Sequence, residues 1–176
     1  VDLVQAENVV LAETGSGFAP MELDGTRVWS AKARYGDNKD NGATGGAAEL
    51  AVEGEEFGSV AWSAGESRPF TLSYDGSTAT LTVDGSSASG AVPSVSEGAI
   101  ALTLKGRNGT KTTVGDLVLN GDAVVPRSLT ADGGLRSLQV DDAFAPSDGF
   151  TLEGTITLDG FAGAGNEEPG VQFGVK

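Results

Sequence analysis

Residues 69–83 read Pro69-Phe70-Thr71-Leu72-Ser73-Tyr74-Asp75-Gly76-Ser77-Thr78-Ala79-Thr80-Leu81-Thr82-Val83. Phe70, Leu72 and Tyr74 alternate with polar residues, Asp75-Gly76 interrupts them, and Ala79, Leu81 and Val83 resume the alternation. Side chains on a strand point to opposite faces in turn, so this period of two describes a strand with one face in a core and one in water. Asp-Gly between two such runs is a strong local signal for a tight antiparallel turn. The stretch therefore predicts a half-buried β-hairpin.

The same period recurs outward in both directions. Upstream it runs through Trp29, Ala31, Ala33 and Tyr35, then Ala48, Leu50 and Val52, then Val60 and Trp62. Downstream, Ile100, Leu102 and Leu104, the Asn108-Gly109 step, and Val114, Leu117 and Leu119 predict a second hairpin. Leu129 to Val140 carries one or two short strands around Asp132-Gly133-Gly134. Phe150, Leu152, Ile156 and Leu158 form a long strand with Gly154 as a candidate bulge, and Val171, Phe173 and Val175 close the chain. About ten strands at such spacings predict an all-β fold, a single β-sandwich of jelly-roll-like form. Phe70, Leu72, Leu81, Leu102, Leu104, Leu117, Leu119, Phe150, Leu152, Ile156 and Phe173 are its expected core. Connections are short, and the chain divides only into an N-terminal apolar segment, residues 1–13, and a β-sandwich domain, residues 14–176.

Composition narrows the chemistry. The 176 residues are ample for one domain. The 27 Gly and single Met suit short strands and tight turns. A net charge of −14 repels phosphate backbones and anionic membrane surfaces, arguing against nucleic acid as a partner. It suits solubility and supplies oxygen ligands for Ca²⁺. With no Cys and no His, disulfides, thiol catalysis, Ser-His-Asp and Cys-His machinery and imidazole metal sites are all excluded. The longest strictly apolar runs, such as Val9-Val10-Leu11-Ala12, are far too short to span a bilayer. The sequence opens at Val1 rather than Met, which is read as a processed chain whose signal peptide has gone and which works outside the cell or on its surface.

A succession of phrases carries a family resemblance. Ala48-Glu49-Leu50 comes first, then Val60-Ala61-Trp62-Ser63-Ala64-Gly65 and Phe70-Thr71-Leu72-Ser73-Tyr74-Asp75-Gly76. Next are Val114-Gly115-Asp116-Leu117-Val118-Leu119-Asn120-Gly121 and Gly149-Phe150-Thr151-Leu152-Glu153-Gly154, and Gly170-Val171-Gln172-Phe173-Gly174-Val175 completes the order. In this succession, residues 48–176 resemble the choice-of-anchor W domain family of exported bacterial and archaeal proteins. The resemblance implies export and a β-sandwich, and it brings no catalytic residue. Members of this kind usually end in a C-terminal anchoring segment. None follows Lys176, so its removal or another means of attachment is expected.

Three groups of residues have a functional and a bland reading. Carboxylates such as Glu49, Glu53, Glu55, Glu56, Glu153, Glu167 and Glu168 could in number supply a glycosidase pair. Two Trp and two Tyr make a poor sugar cleft, however, and a solvated acidic face is the ordinary meaning. The chain is expected not to be an enzyme. Asp37-Asn38-Lys39-Asp40-Asn41-Gly42 superficially matches a Ca²⁺ loop, but Lys39 and Ala48 stand where oxygen ligands belong. An irregular Ca²⁺ site on Asp37 and Asp40, joined by Asp141-Asp142, and a plain polar turn are the alternatives; no other cofactor is expected. Asn108-Gly109-Thr110 has the form of a glycosylation sequon, and its Asn-Gly step equally suits a turn.

The N-terminal segment has the most functional content. Leu3, Ala6 and Val10 would fit a helix; the density of Val and Leu favours a strand. Val1, Leu3, Val4, Val9, Val10 and Leu11 could form the first strand of the chain's own sheet. They could also add to a neighbouring copy, which repeated head to tail builds a fibre. The leading expectation is therefore a structural protein of the cell surface or extracellular matrix, a filament subunit whose partners are copies of itself. The alternative is a carbohydrate-binding module with glycans as partners. It requires Trp29, Trp62, Tyr35 or Tyr74 exposed in a groove, whereas a strand-exchanging subunit buries them.

Overall fold

The computed structural model describes residues 3–11, 27–35, 47–53, 55–160 and 169–176. They form thirteen strands and, among the described residues, no helix. In chain order these are β1 (Leu3–Gln5), β2 (Glu7–Leu11), β3 (Trp29–Tyr35), β4 (Ala47–Val52) and β5 (Glu55–Ala61). There follow β6 (Ser67–Tyr74), β7 (Thr78–Val83), β8 (Ser86–Ala91) and β9 (Ile100–Leu119), then β10 (Asp122–Val125), β11 (Leu129–Val140), β12 (Phe150–Asp159) and β13 (Gly170–Val175).

The hairpin read from residues 69–83 is present in register, with Phe70 opposite Val83, Leu72 opposite Leu81 and Tyr74 opposite Ala79. All six face the core. Asp75 fastens the turn: its Oδ1 accepts the backbone N–H groups of Ser77 at 2.9 Å and Thr78 at 2.8 Å, and the Ser77 hydroxyl at 3.1 Å. These donors, Thr78 first and Ser77 next, hold its carboxyl below the ordinary aspartate range. A carboxyl more acidic in the folded chain stabilises the fold above its unfolded pKa, and that contribution disappears as pH falls through the folded value. An NMR titration of Asp75 is accordingly expected to show a midpoint below the usual value of about 3.9. A midpoint at that value would mean that the turn bonds do not form in solution.

The second expected hairpin does not exist. Both halves of β9 pair with the single strand β11, Lys105 with Leu135 below and Lys111 with Asp132 above. The halves are thus collinear, and residues 107–110 are an excursion within one strand. Asn108-Gly109 carries a turn signal, and Gly109 does take a positive φ of 81°. It turns the chain out and back along the same line because β11 continues across its base. There, the Thr112 hydroxyl donates to the Lys105 carbonyl at 2.6 Å.

That continuity also corrects the architecture. On one side β9 pairs with β13 through Ile100–Lys105 and with β12 through Lys111–Leu119. Two arms diverge from it, β13-β3-β4-β5 and β12-β6-β7-β8. They fold over one another until β4 and β5 lie against β8. One continuous, nearly closed barrel-like sheet replaces the two sheets expected of a sandwich, and its thirteen strands exceed the ten counted from the sequence. The physical cause is a strand long enough to serve both arms.

The core fills the space between the arms, and every core residue named from the sequence is buried. Phe173 of β13 meets Phe70 of β6 with ring centroids 5.2 Å apart, and Trp29 stacks on Phe150 at 6.2 Å. Gly154 is not itself bulged. The extra residue lies opposite, in β9, where Asp116 takes a positive φ of 51°. A Cβ on Gly154 would come within 2.6 Å of the Gly115 carbonyl oxygen and 2.9 Å of the Phe70 ring, so the close approach of backbone excludes a side chain.

Candidate strand-docking seam

On its other side β9 pairs first with β11 and then, at Val118 and Leu119, with β10. The N-terminal segment pairs along the outer edges of both, with Ala123–Val125 of β10 and Leu135–Gln139 of β11. β1 runs parallel to β10, with Leu3, Val4 and Gln5 opposite Ala123, Val124 and Val125. The Ala6 N–H then donates to the Val125 carbonyl at 2.8 Å. Beyond Ala6 the chain crosses to β11, where β2 runs antiparallel from Glu7 opposite Gln139 to Leu11 opposite Leu135. Among the described residues, β1 pairs only with β10 and β2 only with β11.

The receiving strands are firmly held. Val124, Leu135, Leu138 and Val140 are buried, and Ser137 shares a hydroxyl hydrogen bond of 3.2 Å with Thr103 of β9. A rigid pair of strands whose outer N–H and C=O groups are met by one short segment is a template for strand addition. Its chemistry is backbone hydrogen bonding, which any chain of suitable pattern can supply.

The residues singled out in the sequence fall as follows. Leu3, Val4, Val9, Val10 and Leu11 all lie on this seam, paired with the chain's own β10 and β11; Val1 lies outside the described residues. Asp37 and Asp40 also lie outside them. Asp141 and Asp142 form the exposed turn after β11, and Asp141 accepts a hydrogen bond from Gln139 at 2.7 Å. No group of three or more carboxylates suited to a metal occurs among the described residues. Asn108 sits in the excursion of β9, with its side chain outside the description.

Of the carboxylates considered for catalysis, Glu49 is buried in an ion pair with Arg34, its cross-strand neighbour from β3. Glu53 Oε1 accepts the Ser30 N–H at 2.7 Å, and Glu153 is exposed. The Arg34–Glu49 pair was not foreseen from the sequence. Each is a charge at an alternate strand position, and only the register of β3 on β4 makes them neighbours.

All four aromatic residues that a sugar binder would display are buried: Trp29, Trp62, Tyr35 and Tyr74 are 0%, 2%, 6% and 3% exposed. A groove of about 520 Å³ beside the β6–β7 turn is lined by Asp75, Thr80, Asn120, Asp148 and neighbours. The two aromatic residues bordering it, Tyr74 and Phe150, are core residues. No known protein family's model matches the chain, and no curated protein matches it.

Proposed function

We propose that this chain is a structural subunit of the cell surface or extracellular matrix that polymerises by exchanging its N-terminal strands between copies. The observation that carries this reading is the pairing of β1 and β2, which lie along the edges of β10 and β11 and, among the described residues, pair with no other strand. Residues 12–26 connect that segment to β3, and fifteen residues can span up to about 50 Å. The same register forms equally well between two copies as within one, so exchange costs little beyond association itself. Each copy that gives its segment to the next leaves its own seam for the previous one, and the chain of contacts grows as a filament.

Two further considerations support this reading over a glycan-binding module. The rings that would form a sugar platform are packed in the core. The resemblance to exported choice-of-anchor W domains, which stands on the quoted phrases alone, supports a location outside the cell. Carboxylate catalysis has no support from Glu49, which is held by Arg34.

The test uses the absence of native Cys. Glu7 and Gln139 are directly opposite on β2 and β11. Facing Cα atoms about 4.5–5.5 Å apart are within disulfide reach. Glu7→Cys with Gln139→Cys, oxidised after assembly, is expected to run on denaturing gels as a ladder of covalent oligomers. A single monomer band sealed on itself, at every protein concentration, would overturn strand exchange.

A further inference from the structure

The outward face of β12, β6, β7 and β8 is a lattice of hydroxyls. While Leu152, Leu72, Leu81 and Ala88 point into the core, the positions between them form two rows across the strands. One row is Thr151, Ser73, Thr80 and Ser89; the other is Glu153, Thr71, Thr82 and Ser87. On β7 and β8 these hydroxyls bond each other, Thr80 to Ser89 at 2.8 Å and Thr82 to Ser87 at 3.0 Å. A hydroxyl already bonded within the face loses less on leaving water than a free one, and each Thr adds a methyl. The face is consequently easier to dehydrate than its composition suggests.

It is also nearly uncharged in a protein of net charge −14. Glu153 is the one ionisable residue in the two rows. At the corner Arg68 is held by Glu66 at 3.0 Å and by Asp84. Two copies of so acidic a chain repel each other wherever charged surfaces meet, and these two rows carry little of that charge.

We infer that this hydroxyl face is a self-association surface on which a second copy of the chain docks side by side. The contact is separate from the strand-docking seam, so a protein that never exchanged strands would still pair through it. Four strands of about six residues give roughly 400 Å² per copy, about half of what a stable interface buries on each partner. Face-to-face contact is therefore weak for single molecules and accumulates where copies are arrayed, bundling filaments through avidity. The carboxylates around the rim, Glu66, Asp75 and Asp84, and Glu153 at the end of the second row oppose the approach. Salt strengthens the contact by screening them, the reverse of an ion-pair interface.

Sedimentation equilibrium of the intact protein at about 0.05 M and about 1 M NaCl is expected to show association about tenfold tighter at the higher salt, equivalent to about 1.4 kcal/mol. Thr80→Glu with Thr82→Glu should abolish this salt-dependent part, and Thr80→Val with Thr82→Val should preserve it. Strand exchange contributes equally to all three proteins, so the difference between variants isolates the face. Should the double Glu variant fail to fold by circular dichroism, Ser89→Glu at an exposed position on β8 carries the same test. Equal association in wild type and the folded Glu variant would overturn the inference. So would a mass independent of salt, or a protein that does not self-associate through this face but is retained on an insoluble polysaccharide unless Thr80 and Thr82 are changed to Glu.

Discussion

A chain lacking residues 1–13 is expected to fold and to form no filaments at concentrations where strand exchange would assemble the intact protein. The deletion removes three paired positions on β10 and five on β11. It leaves β9, both arms and the aromatic cluster in place. At about 1 kcal/mol net per backbone hydrogen bond, the loss amounts to several kcal/mol, within the total of about 5–15 kcal/mol expected of a domain. The melting temperature should fall without loss of the β-type circular dichroism spectrum. A synthetic peptide of residues 1–13 should restore it, adding about 2.7 kcal/mol at a hundredfold excess over its Kd. Electron microscopy should then show filaments from the intact chain and none from the deletion. If the shortened chain unfolds while the intact one sediments as a monomer at high concentration, the segment belongs to its own sheet and polymerisation by exchange is excluded.

Phe173→Ala is expected to cost about 3–5 kcal/mol, the largest effect of any single truncation considered for this fold. Phe173 is fully buried, and its strand is flanked on both sides, with Leu102 of β9 and Ala31 of β3 in register beside it. Its ring reaches across to Phe70 on the opposing arm. Removing it opens a cavity where the two arms touch, and neither can settle inward while β9 holds them both. Urea unfolding should show a lowered midpoint with an unchanged slope, the mark of lost stability rather than a changed denatured state. A cost under about 1 kcal/mol would mean that the arms do not meet at this residue.

What the sequence made legible was local. Residues 69–83 announced their strands, turn and buried face together, because alternation and Asp-Gly agree. β3, β4 and β13 were visible for the same reason. β8 was not: in Ser86-Ser87-Ala88-Ser89-Gly90-Ala91 only Ala88 is buried, so no hydrophobic alternation marks it. β10, four residues long, falls below the length at which a period shows. The error at Asn108-Gly109 had a different source. A turn residue pair fixes local dihedrals and not the direction the chain takes afterwards, which β11 decides from a distance. The choice between two sheets and one rolled sheet rests on the same long-range pairing. At the seam, the Val-rich character of residues 1–11 identified a strand. Its partners β10 and β11 could not be read, because cross-strand register leaves no trace in either strand alone.

The seam joins strands that a ribosome makes far apart in time. Leu3 waits for Ala123 and Glu7 for Gln139, so β1 and β2 are Val-rich polypeptide without these partners until residues 123–139 have been made. Pairings this distant in sequence form late and slowly, because most of the chain must be closed into a loop first. During that delay the segment is free to meet the finished β10–β11 edge of another molecule, and crowding of nascent chains at one site raises the frequency of such encounters. In the exchange proposed above, the place that so early-made a segment finds need not be its own.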